Sequence, residues 1–189
     1  MKKLLSVLLM VAVLASLSAV AFAGPSPSQD VSGGGVPAGK KPAIKDVQIV
    51  AEDSINLDEE CDAVVGTDGL EDADEETQNA VNALDEQKDD AADALTPKNI
   101  GDAIPYTQLK NADGKTAVCT NPEEIWCKNG EYPCKVKYTV DYPVETVLLY
   151  SDGKWSVPTD LEIVDNGDGT WTVSFTLYAP ALYTNVRFK

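Results

Sequence analysis

The chain reads as an α+β protein, an acidic N-terminal helical segment followed by a small antiparallel β-sandwich. Three observations carry that expectation. Between residues 72 and 95 apolar residues recur at three- and four-residue steps, the period of a helix. From Lys135 onward apolar and polar residues alternate, the period of a strand. Glycine-containing turns then punctuate the alternation at intervals of about eight to twelve residues, the spacing of a sandwich or small barrel.

The N-terminus comes first and stands apart from the fold. Lys2-Lys3 precede an apolar run from Leu4 to Val20, broken only by Ser6, Ser16 and Ser18, which closes on Ala21-Phe22-Ala23. A charged start, an apolar core and an A-x-A end are the three parts of a secretory signal, here residues 1–23 with cleavage between Ala23 and Gly24. The run is shorter than the roughly 20 residues that span a bilayer. No transmembrane segment is expected once it is removed. No cysteine follows it, which argues against a lipid anchor. Residues 24–43 hold three consecutive glycines and four prolines, with Val31 and Val36 as their only branched apolar side chains, and read as a disordered linker.

Residues 44–99 form the acidic segment. Val47 to Val50 reads as one short strand. From Glu52 to Asp93 there are 17 acids and one base, Lys88. Asn56 with Glu59 makes a capping-box pattern, and Leu57 to Val65 reads as a first helix ending at Gly66. Asp72 with Glu75 opens a second helix, in which Ala73, Ala80, Val81, Leu84, Ala91 and Leu95 make a narrow apolar stripe that Pro97 ends. Acids crowd its first turn, where they complement the helix dipole. The stripe is mostly alanine, so this helix is expected to lie on a neighbouring surface.

Residues 100–189 form the sandwich. Ile104, Tyr106 and Leu109 alternate before the turn at Asn111 to Gly114, and Lys115 to Thr120 returns antiparallel. Ile125 to Lys128 and Glu131 to Cys134 flank Asn129-Gly130, a strong hairpin signal. Lys135 to Tyr142 alternates. Val147 to Tyr150 turns at Asp152-Gly153 into Lys154 to Val157, setting Tyr150 opposite Trp155. Leu161 to Val164 turns at Asn166 to Gly169 into a strand with Trp171, Val173, Phe175 and Leu177 on one face and Thr170, Thr172, Ser174 and Thr176 on the other. Thr184, Val186 and Phe188 mark a closing strand.

Charge and chemistry narrow the function. The whole chain carries −16; without Lys2 and Lys3 there are 13 bases against 31 acids, a net of −18. Such a chain is repelled by nucleic acid and by anionic membrane. There is no histidine, so neither a Ser-His-Asp nor a Cys-His arrangement can be built. No phosphate-binding glycine loop occurs. The chain is read as a non-enzyme with no cofactor and no metal. Asp165 to Thr170 invites a calcium-loop reading, but Val164 and Phe175 would then stand where oxygen ligands are required, and two hairpin turns explain the same residues. Cys61, Cys119, Cys127 and Cys134 are expected to form two disulfides in an exported protein. Local closure favours Cys127–Cys134, leaving Cys61–Cys119. A two-residue turn at Asn129-Gly130 would instead set Cys127 opposite Tyr132, so the pairing stays open. Among the tryptophans, Trp171 is expected to be buried and Trp155 half-buried. Trp126, beside a hairpin tip, is the best placed for exposure. Trp126 and Trp155 are the candidates for stacking on a sugar ring.

The run from Lys135 to Leu182 resembles the C-terminal immunoglobulin-like β module of small secreted and cell-surface proteins of Gram-positive anaerobes. The resemblance rests on Val147 to Val157 with its DG-x-W turn, on Asn166 to Phe175 with its NGDGT turn, and on Ala179-Pro180. It extends over roughly residues 70–188. It implies an immunoglobulin-like sandwich and an extracellular, non-catalytic module of mostly unknown function, and it brings no catalytic residues with it. The chain ends at Lys189 with no wall-sorting motif, so free or non-covalently associated secretion is expected. The function expected is a secreted structural or interaction module whose partner is a protein or a cell-wall glycan. A carbohydrate-binding sandwich and an acidic divalent-cation-binding protein are the alternatives.

Overall fold

A computed structural model describes residues 42–51, 55–58 and 61–189. The signal read over 1–23, its cleavage at Ala23–Gly24, residues 24–41 of the linker and Glu59 of the first capping box lie outside the described residues.

Elements follow one another as β1 (Asp46–Val50), β2 (Asn56–Leu57), β3 (Ala63–Val65), α1 (Glu75–Asp93), α2 (Pro97–Ala103), α3 (Tyr106–Ala112), β4 (Thr116–Thr120) and β5 (Glu123–Cys127). Then come β6 (Cys134–Val140), β7 (Thr146–Ser151), β8 (Lys154–Ser156), β9 (Glu162–Asp165), β10 (Trp171–Leu177) and β11 (Ala181–Phe188). Among the described residues the strands make two sheets. The larger runs β1-β4-β11-β5-β3, with β7 on the other edge of β11 and β8 beyond it; the smaller runs β2-β6-β10-β9. All pairings are antiparallel except β1 with β4.

β11 shows why the fold has two cores. Alternate strand residues face opposite ways. Leu182 and Val186 pack with helix residues Ala91, Ile100 and Leu109 and with Ile104 between α2 and α3. Ala181 and Tyr183 pack with Val136 and Tyr138 of β6 and Val173 and Phe175 of β10. The larger sheet is thus covered by helices on one face and by the smaller sheet on the other. Six consecutive β11 residues, Ala181 to Val186, are buried, as a strand covered on both faces requires.

The last third matches its sequence pattern closely. Tyr150 lies opposite Trp155 across the β7–β8 turn, their ring centroids 5.0 Å apart. Asp152 and Gly153 both take positive φ, +52° and +75°, the twist that a two-residue hairpin needs. Val173, Phe175 and Leu177 of β10 are buried; Trp171, expected to be buried with them, is only half-buried at the start of the strand. The turn at Asn166 closes with its N–H on the Thr170 carbonyl at 3.0 Å.

Helix α1 forms where the second capping signal stood, two residues later than Asp72. Asp74 is its N-cap, accepting from the Thr77 N–H at 2.9 Å. Its buried residues Val81 and Ala91 lie on the expected stripe. Lys88, the lone base of the acidic block, reaches Glu124 at 3.6 Å on the strand beneath.

Five expectations are corrected. The helix read over Leu57 to Val65 is two strands, β2 and β3, one in each sheet. β-Branched Val64 and Val65 pair with Trp126 and Ile125 instead of coiling. The strand read through Ile104, Tyr106 and Leu109 is not formed: Ile104 is the extended link between α2 and α3, and Tyr106 and Leu109 are in α3. Thr96 caps α2, accepting from the Asn99 N–H at 3.2 Å, and Pro97 starts that helix as well as following α1. The strands flanking Asn129-Gly130 do not pair. β5 joins the larger sheet and β6 the smaller, so the turn carries the chain between sheets. Residues 42–43, read as the linker's end, are bonded to the body: the Ala43 N–H donates to Asp113 Oδ1 at 2.7 Å and its carbonyl accepts from Gly114 at 2.8 Å. The parts read as 44–99 and 100–189 share sheets throughout, β1 on β4 and β3 on β5.

Candidate functional site

The four cysteines are placed in two groups. Cys127 and Cys134 form a disulfide, their Cα atoms 6.3 Å apart. It joins the end of β5 to the start of β6 and so ties the two sheets together. The Cys61–Cys119 bond does not form; both thiols are free. The reason is the sheet between them. Cys119 is buried on the helix-covered face, whereas Cys61 packs at the rim of the core between the sheets. Burial pushes the Cys119 thiol up to about 12.

Neither tryptophan offered for sugar stacking presents a ring. Trp126 is fully buried beneath α1, packed with Leu70, Ala73 and Val81. Its indole N–H donates to the Gly66 carbonyl at 2.6 Å. The hairpin tip that would have exposed it does not exist, and the helix that covers it comes from 45 residues upstream in sequence, Val81 against Trp126. Trp155 is 4 % exposed and packs against Tyr150 under α2. It lines a hollow of about 270 Å³ with Asn99, Asp102 and Lys154, without an open face for a ring to stack on.

The acids of the 165–170 turn are engaged in the hairpin. Asp165 Oδ1 accepts from the Gly167 N–H at 2.8 Å, and Asp168 Oδ1 accepts from the Thr170 N–H at 3.0 Å and its hydroxyl at 2.7 Å. Those bonds hold the Asp168 carboxyl below its usual range. Among the described residues no group of three or more Cys, Asp or Glu side chains is placed to hold a metal ion. Among them, too, no helix is long and apolar enough to cross a membrane.

A second hollow lies elsewhere, at the N-terminal end of α1. It measures about 390 Å³ and is lined by Asp74, Glu76, Thr77, Ala80, Gly130, Tyr132, Tyr178, Ala179 and Pro180. Three chain segments meet there, and each has a reason to be in place. The first turn of α1 supplies Asp74, whose two carboxylate oxygens accept from Thr77, Oδ1 from the N–H at 2.9 Å and Oδ2 from the hydroxyl at 3.0 Å. Those bonds, the backbone one foremost, lower its pKa and keep it charged. The loop from Cys127 to Cys134 supplies Gly130 and Tyr132 and is closed by the disulfide. The Tyr132 hydroxyl accepts from the Cys127 N–H at 3.1 Å, leaving its own proton to donate. The β10–β11 turn supplies Tyr178, Ala179 and Pro180. Tyr178 is 68 % exposed, the most open large apolar side chain among the described residues.

Physically the hollow combines an anionic wall, the small apolar side chains of Ala80, Ala179 and Pro180, and an open phenol ring at its lip. Such a set suits a cation on an apolar stem, held by a carboxylate and by the face of an aromatic ring. Three acids, Asp74, Glu75 and Glu76, outweigh the half-charge of the helix dipole at that end. The hollow was not legible in the sequence. Of its lining only Ala179-Pro180, Ala80 and Gly130 stand out in the sequence, each for a local reason, and the approach of three distant segments has no local signal. No family model, no curated protein and no solved structure matches this chain.

Proposed function

We propose that the chain is a secreted, non-catalytic interaction module on an immunoglobulin-like β framework, and that it engages a basic side chain of a partner protein in the hollow between Asp74 and Tyr178. The observation that carries this reading is the Tyr178 ring, open at the lip of a hollow of about 390 Å³ whose wall is the charged Asp74 carboxylate. The net charge of −18 that remains without Lys2 and Lys3 draws basic partners toward the whole surface. Two features support the extracellular setting: the signal pattern of residues 1–23 and the disulfide that ties the sheets together. The hairpins β7–β8 and β9–β10 support the framework.

The test is calorimetric titration with short peptides carrying a central arginine or lysine. Tyr178→Ala removes an exposed ring and leaves the core untouched. Asp74→Asn removes the charge but keeps a good N-cap. Each variant is expected to weaken binding by about 3- to 30-fold, the range of one desolvated cation–π or charge contact. Equal binding by wild type and both variants refutes the proposed site. Binding to a glycan panel that depends on Tyr178 but not on Asp74 would instead favour the carbohydrate alternative.

A further inference from the structure

Cys61 packs against the core between the sheets that holds Cys127 and Cys134. The chain crosses from β2 in the smaller sheet to β3 in the larger one through Cys61. The disulfide crosses between the same two sheets from β5 to β6. Pairing places the two crossings side by side. β3 sets Ala63 opposite Cys127, and the Lys128 N–H donates to the Asp62 carbonyl at 2.7 Å. On the other side, the Cys61 thiol donates to the carbonyl of Lys135, the residue after Cys134, at 3.2 Å. The Ala63 N–H in turn points at Cys61 Sγ at 3.4 Å. Cys61 is half-buried and reachable, and Cys127 and Cys134 belong to the core it borders. The fourth cysteine, Cys119, is sealed on the far face of the sheet.

We infer that Cys61 is an exchange thiol for the Cys127–Cys134 bond, so that the protein has two disulfide isomers. In the exchange, Cys61 Sγ attacks as the thiolate and bonds to Cys134 Sγ. The Cys127–Cys134 bond breaks, and its electron pair leaves on Cys127 Sγ, which takes up the proton that Cys61 released. One disulfide is lost and one is formed, with no net oxidation. The second isomer still ties the smaller sheet to the larger, now through the β2–β3 crossing. It frees residues 128–133, which carry Gly130 and Tyr132, from their covalent closure.

The measurement is a disulfide map of the native protein, held for hours near neutral pH without added thiol, quenched in acid, alkylated and digested unreduced. The expected result is a Cys61–Cys134 isomer on the order of 1–10 % of the total, with the alkyl label on Cys127 in that fraction. Cys61→Ser should show Cys127–Cys134 alone and no label on Cys127. In a second arm, Cys127→Ser in a glutathione redox buffer should close Cys61–Cys134. The inference is overturned if Cys127 never takes label in the wild type. It is equally overturned if Cys61 in Cys127→Ser stays free, or bonds to Cys119 or to a second chain.

Discussion

Gly130 and Asp74 meet so closely that a Cβ on Gly130 would lie 2.0 Å from Asp74 Oδ2. The contact joins the disulfide-closed loop to the first turn of α1. Glycine is needed there twice, since its φ is also +69°. Gly130→Ala is therefore expected to destabilise the protein by about 1–3 kcal/mol and to shift the Asp74 carboxylate. Urea denaturation read by circular dichroism checks this. An unchanged midpoint would mean that the loop and the helix do not touch.

Trp126 anchors α1 to the larger sheet. Trp126→Phe removes the donor to the Gly66 carbonyl, a bond of 2.6 Å, and leaves a cavity beneath Val81. The expected cost is about 1–3 kcal/mol. The same residue should emit as a buried indole, so the variant should lose a blue-shifted, iodide-resistant part of the fluorescence. Ready quenching of that emission by iodide in the wild type would contradict the burial.

Tyr138 and Tyr183 predict an alkaline limit to stability. Both are buried between the sheets. Tyr138 donates to Asn185 Oδ1 and Tyr183 donates to Glu123 Oε2 at 2.9 Å. Burial, foremost, pushes both hydroxyls up, that of Tyr183 further raised by the Glu123 charge. A folded pKa above the unfolded one means that the unfolded chain loses its protons first. Stability from these groups is complete below about pH 10, the ordinary tyrosine value. It is lost as pH rises beyond that toward the folded values. Absorbance at the phenolate band during alkaline titration should show these two tyrosines ionising together with unfolding. Smooth titration of all seven tyrosines in the folded protein would contradict it.

The parts of the fold that were legible are those whose partners are close in sequence. Tyr150 and Trp155 lie five residues apart, and alternation plus Asp152-Gly153 was enough to pair them. The reach of α1 followed from its stripe and cap. What failed depended on distant partners. Leu57 to Val65 carries a capping pattern and a terminal glycine, yet β5 and β6 recruit its two ends into different sheets. Asn129-Gly130 is a genuine turn whose flanking strands are claimed by β11 and β10. Pro97 reads as the end of α1, but a Thr before Pro is equally a helix start, and Thr96-Pro97 opens α2. A helix started there carries Ile100 into the core and gives Trp155 its cover. The hollow at Asp74 and Tyr178 depends on three such long-range placements at once.

The most direct test of the proposed interaction role is a chemical-shift map of the amide resonances during titration with an arginine-containing peptide. The account predicts saturable shifts centred on Asp74, Ala80, Gly130, Tyr132 and Tyr178, abolished by Tyr178→Ala. Shifts spread evenly over the outer acids of α1, unsaturated and indifferent to Tyr178, would contradict it.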